Sequence, residues 1–131
     1  PKMARLRIAS NTPVQMGAVE ALQGPQDHVG EMVRKLKERR DYVMKRLSGM
    51  QNLSCAEPKG AFYIFPKIDV KGGRWKSDAD FVIDLLKSTG VLTVHGSGFG
   101  TQYGFGHFRI VYLPPVEVLE EAMDRLEGYI R

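Results

Sequence analysis

The spacing of apolar residues changes along the chain, and each change marks a new element. Asn11-Thr12-Pro13-Val14-Gln15 offers a capping residue, a proline suited to the first helical position, and Gln15 three residues after Thr12, where it closes a capping box. This predicts a helix from about Pro13 to Gln23, stopped by Gly24-Pro25. Val29, Met32, Val33, Leu36, Val43, Met44 and Leu47 then recur at helical spacing. They predict a second helix from about Gln26 to Ser48, which forms an αα-hairpin with the first.

Beyond Ser48 the period shortens. Leu53 to Ala56 is a weak strand candidate, and Gly60-Ala61-Phe62-Tyr63-Ile64-Phe65 is a strong one, ended by Pro66 because proline cannot donate to a ladder. Lys71-Gly72-Gly73-Arg74 marks a loop. Ser77 then offers an N-cap with Asp78 and Asp80 in the first turn, and Phe81, Val82, Leu85 and Leu86 share one stripe until Gly90. Val91 to His95 reads as a strand, and a glycine loop leads from it to a second strand, His107 to Leu113. Pro114-Pro115 opens a last helix with Leu119, Ala122, Met123, Leu126 and Ile130 on its apolar side. The expected order is α-α-β-β-α-β-β-α, an α/β (α+β) domain with a small, mostly antiparallel sheet covered by helices on one face.

One residue breaks the pattern. In His107-Phe108-Arg109-Ile110-Val111-Tyr112-Leu113 the alternation puts Phe108, Ile110 and Tyr112 on one face and His107, Arg109, Val111 and Leu113 on the other. Arg109 therefore points away from the helices. A guanidinium stays charged at any working pH, and its planar fork matches a carboxylate or phosphate with two parallel hydrogen bonds. The pattern alone leaves two partners open: an Asp or Glu of the same domain, or an anionic ligand on the free sheet face.

Gly96, Gly98, Gly100, Gly104 and Gly106 precede this strand. A phosphate-binding fingerprint needs a glycine turn that opens a helix, so that amides and the helix dipole face the phosphate, whereas this loop leads into a strand. The remaining readings are a flexible connection or a close backbone approach to a ligand beside Arg109. His107 shares the Arg109 face and reads as a packed or solvent-facing residue before a ligand contact. Lys59 and Lys67 flank the aromatic strand as surface charges, and Cys55 has no basic neighbour in sequence and reads as inert filling.

Composition narrows the classes. The chain has 131 residues, enough for one domain that buries roughly two-thirds of its unfolded surface. Its one cysteine forbids an internal disulfide, and the scattered His28, His95 and His107 suggest no metal site. No apolar run suits a bilayer and no charged-then-apolar leader is present, so the expectation is a soluble, cytoplasmic protein with no membrane partner. The net charge of +4 arises mostly from the second helix, where Glu31 and Lys35, and Asp41 and Lys45, sit in the favourable order for ion pairs on a solvated face. No aromatics interleave with its bases, which argues against nucleic acid. Pro1-Lys2-Met3, followed at once by Leu6-Arg7-Ile8, reads as the tail of an earlier element. The expectation is a fragment of something longer. Two further classes stay open: a stand-alone module for small carboxylates, and a protein-interaction domain that uses the basic helix on an acidic partner.

Taken together, Asn11-Thr12-Pro13-Val14-Gln15, Lys59-Gly60-Ala61-Phe62-Tyr63-Ile64-Phe65-Pro66 and the stretch from Gly96 to Pro115 resemble the C-terminal part of a pyridoxal-phosphate-dependent class I/II aminotransferase of fold type I. The resemblance covers essentially the whole chain and is strongest to the alanine aminotransferase branch of archaea and bacteria. It implies that residues 1–131 are the small domain of a homodimeric enzyme whose large, cofactor-binding domain precedes them, with residues 1–12 a linker or interface segment. It implies amino-acid and 2-oxo-acid substrates, with Arg109 clamping their α-carboxylate, Gly60 near the same carboxylate and Phe62 lining the pocket. The Ser10-Asn11-Thr12-Pro13 segment is implied to lie near the dimer interface. The family's cofactor-binding lysine lies in a Ser-x-x-Lys-like motif, and no serine here has a lysine three residues later. The resemblance thus implies no catalytic and no cofactor-binding residue in this chain, and an isolated fragment that neither holds pyridoxal phosphate tightly nor transaminates.

Overall fold

The computed structural model describes residues 11–70 and 74–131. The expectations for Pro1 to Ser10 and for the glycine turn at residues 71–73 lie outside these residues. Internal contacts divide the chain into two units, Pro1–Val33 and Arg34–Arg131.

In the first unit the helix α1 (Thr12–Gln23) is capped by Asn11, whose side chain accepts from the Val14 amide at 3.1 Å. The cap is thus one residue earlier than the box built on Thr12, and Pro13 falls in the first turn, where a missing N–H costs nothing. No residue of α1 is buried: Val14, Met16, Val19 and Leu22 all face outward. The helix α2 (Asp27–Ser48) begins in the same way, with Val29, Met32 and Val33 exposed. Helical spacing therefore marks an apolar face over these residues but no core.

In the second unit α2 buries Val43 and Leu47. Two small antiparallel sheets follow. The first pairs β1 (Leu53–Ser54) with β3 (Lys67–Ile68). The second has the order β2 (Tyr63–Ile64), β5 (Phe108–Val111), β4 (Val94–His95), with Tyr63 opposite Val111, Ile64 opposite Ile110, and Val94 opposite Arg109. Phe108, Ile110 and Tyr112 are buried against Phe81 and Leu85 of α3 (Asp78–Thr89) and Leu119, Met123 and Leu126 of α5 (Val116–Ile130). Arg109 and Val111 lie on the other face and stay partly exposed.

The strands are shorter than the pattern predicts, for local reasons. Ala61 sits at φ 57° in the left-handed region, and its carbonyl accepts the Tyr112 hydroxyl at 2.8 Å, so Gly60 to Phe62 bend before the ladder begins. Pro66 interrupts the ladder on the other side, and its carbonyl accepts from the Phe108 amide at 3.0 Å. The segment Val91 to His95 joins the sheet only at Val94. The glycine loop is not a plain connection: it holds a 3-10 turn at Gly96–Phe99 and one helical turn, α4 (Thr101–Gly104).

The α3 caps follow the sequence. Ser77 accepts from the Asp80 amide at 3.1 Å, and Gly90 ends the helix at φ 75° with its amide on the Leu86 carbonyl. Arg46 ties the end of α2 to α5 through Asp124 at 2.7 Å and Glu127 at 3.1 Å, which holds the Arg46 guanidinium pKa above its ordinary value. Among the described residues no helix is long and apolar enough to cross a membrane.

Within the loop, Gly96 and Gly104 meet backbone to backbone. A Cβ on Gly104 would lie 2.0 Å from the Gly96 carbonyl oxygen, whereas one on Gly128 would meet nothing within 4 Å. Gly104→Ala is expected to lower the unfolding free energy by about 1–3 kcal/mol, and Gly128→Ala to raise it by about 0.5–1 kcal/mol. Urea titration of the two variants checks the contrast.

Candidate functional site

Arg109 occupies the middle of the central strand on the face turned from the core. Its guanidinium carbon lies 4.5 Å from the centre of the Tyr63 ring and 4.5 Å from the centre of the Phe99 ring. Its Nε is buried and has no hydrogen-bond partner. No carboxylate among the described residues forms an ion pair with it. Each ring contact contributes about 0.5–2 kcal/mol, yet neither ring supplies a hydrogen-bond acceptor for the N–H groups in the guanidinium plane. The side chain is held in place with its donors unspent, which suits a planar anion such as a carboxylate.

Register explains how Tyr63 arrives there. Opposed residues of an antiparallel pair share a face, so pairing Tyr63 with Val111 places it on the Arg109 side and Ile64 in the core. Phe62 falls on the inner side: it packs against the core cluster, with its ring centre 4.5 Å from that of Tyr63. Of these two neighbouring rings it is that of Tyr63 that lies against Arg109. Gly60 is exposed, with open space where a Cβ would stand, and precedes the bend at Ala61.

Phe99 is brought in by the glycine loop. The Ser97 amide donates to Asp78 Oδ2 at 2.7 Å, the Gly98 amide donates to His95 Nδ1 at 3.2 Å, and the Gly96 amide donates to the His107 carbonyl at 2.7 Å. Asp78 is fully buried at the start of α3. Burial pushes its carboxyl up, but hydrogen bonds from Ser97, from its own amide and from the Gly106 amide together outweigh that and hold it below the usual carboxylate value. His95 Nδ1 stands 3.9 Å from the same carboxylate. Phe65 extends the aromatic set, edge-on to Phe99 at 6.1 Å and stacked on His107 at 5.1 Å. His107 is therefore a packed residue, with Nδ1 against the Phe105 carbonyl at 3.1 Å.

The other candidates lie apart. Lys59 and Lys67 are exposed, and half-buried Cys55, its thiol pushed up by burial, lies against the Ala56 carbonyl. A hollow of about 530 Å³ between β4, β5 and α5 reaches Arg109 but is lined by neither Tyr63 nor Phe99 and by no lysine. Among the described residues, no three His, Cys, Asp or Glu side chains group as metal ligands. The residues around Arg109 thus fit a carboxylate. Tyr63, Phe99 and Asp78 are the participants that sequence reading passes over. The signals available were the aromatic beside Phe62, the one aromatic in GSGFG, and an acid at a helix start.

Residues 2–126 match the family model of aminotransferase class I and II. The glutamate-pyruvate aminotransferase AlaA of Haemophilus influenzae is 39% identical over 131 residues, which cover 98% of this chain and 32% of that protein. The aromatic-amino-acid aminotransferase 2 of Thermococcus litoralis is 42% identical, covering 99% and 34%. Among solved structures, the alanine aminotransferase from Pyrococcus furiosus superposes with a TM-score of 0.89 at 56% identity, covering 98% of this chain and 32% of that one. The chain spans about a third of the length of the relatives it matches.

The Asp78 carboxyl has a further consequence. Held below its ordinary value in the folded chain, it contributes stability that is present above the unfolded value of about 3.9 and is lost as pH falls through the folded value. The urea midpoint is expected to drop as pH is lowered below about 4, and Asp78→Asn to flatten that drop. An acid limb of the same steepness in the variant would contradict the assignment.

Proposed function

The chain belongs to the aminotransferase class I and II family, and we propose that it is the substrate-carboxylate-binding small domain of a pyridoxal-phosphate-dependent aminotransferase of the alanine/2-oxoglutarate type. The observation that carries this reading is the Arg109 guanidinium, flanked by Tyr63 and Phe99 and paired with no carboxylate among the described residues. The 56% identity to an alanine aminotransferase supports the substrate type.

The chemistry asks for such a group. Amino donor and 2-oxo acceptor differ at Cα but share the α-carboxylate, so one fixed fork serves both halves of a transfer. Two parallel hydrogen bonds fix the direction of the carboxylate as well as its place, and so orient Cα toward the reacting groups. The described residues do not hold the cofactor. The lysine and phosphate-binding groups belong to a large domain that precedes this chain in a homodimeric subunit. That domain also covers the apolar faces of α1 and early α2, where Val14, Met16, Leu22, Met32 and Val33 stand exposed. Residues 1–12 are a linker or interface segment, and the chain by itself is inactive.

Arg109→Lys in the full-length subunit replaces a fork with a point charge. We expect KM for the amino acid and for the 2-oxo acid to rise together by about 10- to 100-fold, with cofactor content unchanged. Steady-state kinetics with both substrates check this, and parental KM values would overturn the reading. Mass spectrometry after pyridoxal phosphate and borohydride treatment of the isolated chain is expected to find no stoichiometric adduct.

A further inference from the structure

We infer that Asp78 is a positioning residue for the Arg109 clamp, acting through the Ser97 amide to set the Phe99 ring against the guanidinium. The inference rests on the reading of Arg109 as the carboxylate clamp. It adds a residue from a different element, on the core side of the sheet.

Asp78 is an expensive residue where it stands. A carboxylate with no exposed surface is tolerated only where hydrogen bonds or a cation offset its desolvation, and His95 Nδ1, 3.9 Å away, is already taken by the Gly98 amide. Helix capping does not account for it, because Ser77 already takes the Asp80 amide. Core packing does not need it either, since an apolar residue fills such a space without the desolvation cost. What Asp78 does contact is the glycine loop: the Ser97 amide donates to Oδ2 at 2.7 Å, and the Ser97 side chain and the Gly106 amide also face its carboxyl.

That bond lies two residues before Phe99, and the turn around it is short. Gly98 is held by His95 Nδ1, the Gly100 amide closes on the Ser97 carbonyl at 3.2 Å, and Gly96 is pressed against Gly104. The Phe99 backbone is thus fixed from both sides, and its ring is placed 4.5 Å from the Arg109 guanidinium carbon. A hydrogen bond to a charged acceptor is about twice as strong as a neutral one, so the bond to Asp78 is the strongest tie on a turn otherwise built of small residues. If it is lost, Phe99 leaves its place and Arg109 samples orientations in which the fork misses the carboxylate.

The test is a double-mutant cycle in the full-length subunit, reading KM and kcat for the amino acid beside thermal stability. Asp78→Asn is expected to raise KM by about 3- to 10-fold with kcat within about twofold of the parent. Phe99→Ala is expected to raise KM similarly. In the Phe99→Ala background, Asp78→Asn should change KM by less than about 1.5-fold, because the path through the ring is already cut. Multiplicative effects of the two substitutions, or an Asp78→Asn variant that loses stability but keeps the parental KM, would overturn the inference. Should Asp78→Asn not fold, Ser97→Pro removes the same hydrogen bond from the donor side and must give the same non-additive result with Phe99→Ala, or the inference fails. Arg109→Lys separates the two readings: if it raises KM and Asp78→Asn does not, the clamp stands and the role of Asp78 falls.

Discussion

A guanidinium that cannot shed its charge, fixed on a strand and left without a carboxylate partner among the described residues, is the constraint around which this domain is organised. Arg109 sits on the central strand of the three-stranded sheet, paired with Val94 on one side, while the next residues of its strand pair with β2 on the other. Two aromatic rings restrict its side chain. Ring contacts orient a cation without consuming its hydrogen-bond donors, so the arrangement keeps the fork ready for a ligand at little entropic cost on binding.

The rest of the unit serves that geometry from two sides. On one side the left-handed Ala61, held by the Tyr112 hydroxyl, delivers Tyr63 into register opposite Val111. On the other, the close contact of Gly96 with Gly104 and the buried Asp78 fold the glycine loop into a turn that presents Phe99. Beneath the sheet, Phe108, Ile110 and Tyr112 lock β5 onto α3 and α5. The strand that carries Arg109 is thereby anchored in the core through every second residue.

How much of this was legible in the sequence depends on the range of the interaction. Alternation along β5 assigned Arg109 and its neighbours to their faces, and Ser77 and Gly90 marked the ends of α3, because these signals act within a few residues. Strand lengths were not legible: the positive φ of Ala61 follows from a bond to Tyr112, far away in sequence. Nor was the approach of Tyr63 to Arg109, since a register shift of one residue exchanges the faces. Asp78 looked like an ordinary acid at a helix start, as nothing local reveals that the glycine loop folds over it. The exposed face of α1 and early α2 shows the converse case, in which periodicity gives the existence of an apolar stripe but not what covers it.

The most direct measurement is a crystal structure of the full-length subunit with a non-reacting amino-acid analogue bound. The account predicts both carboxylate oxygens at about 2.7–3.0 Å from nitrogens of the Arg109 guanidinium, with the Tyr63 and Phe99 rings still against it. A carboxylate held by other groups, with Arg109 paired to an aspartate or glutamate of the subunit itself, would contradict it.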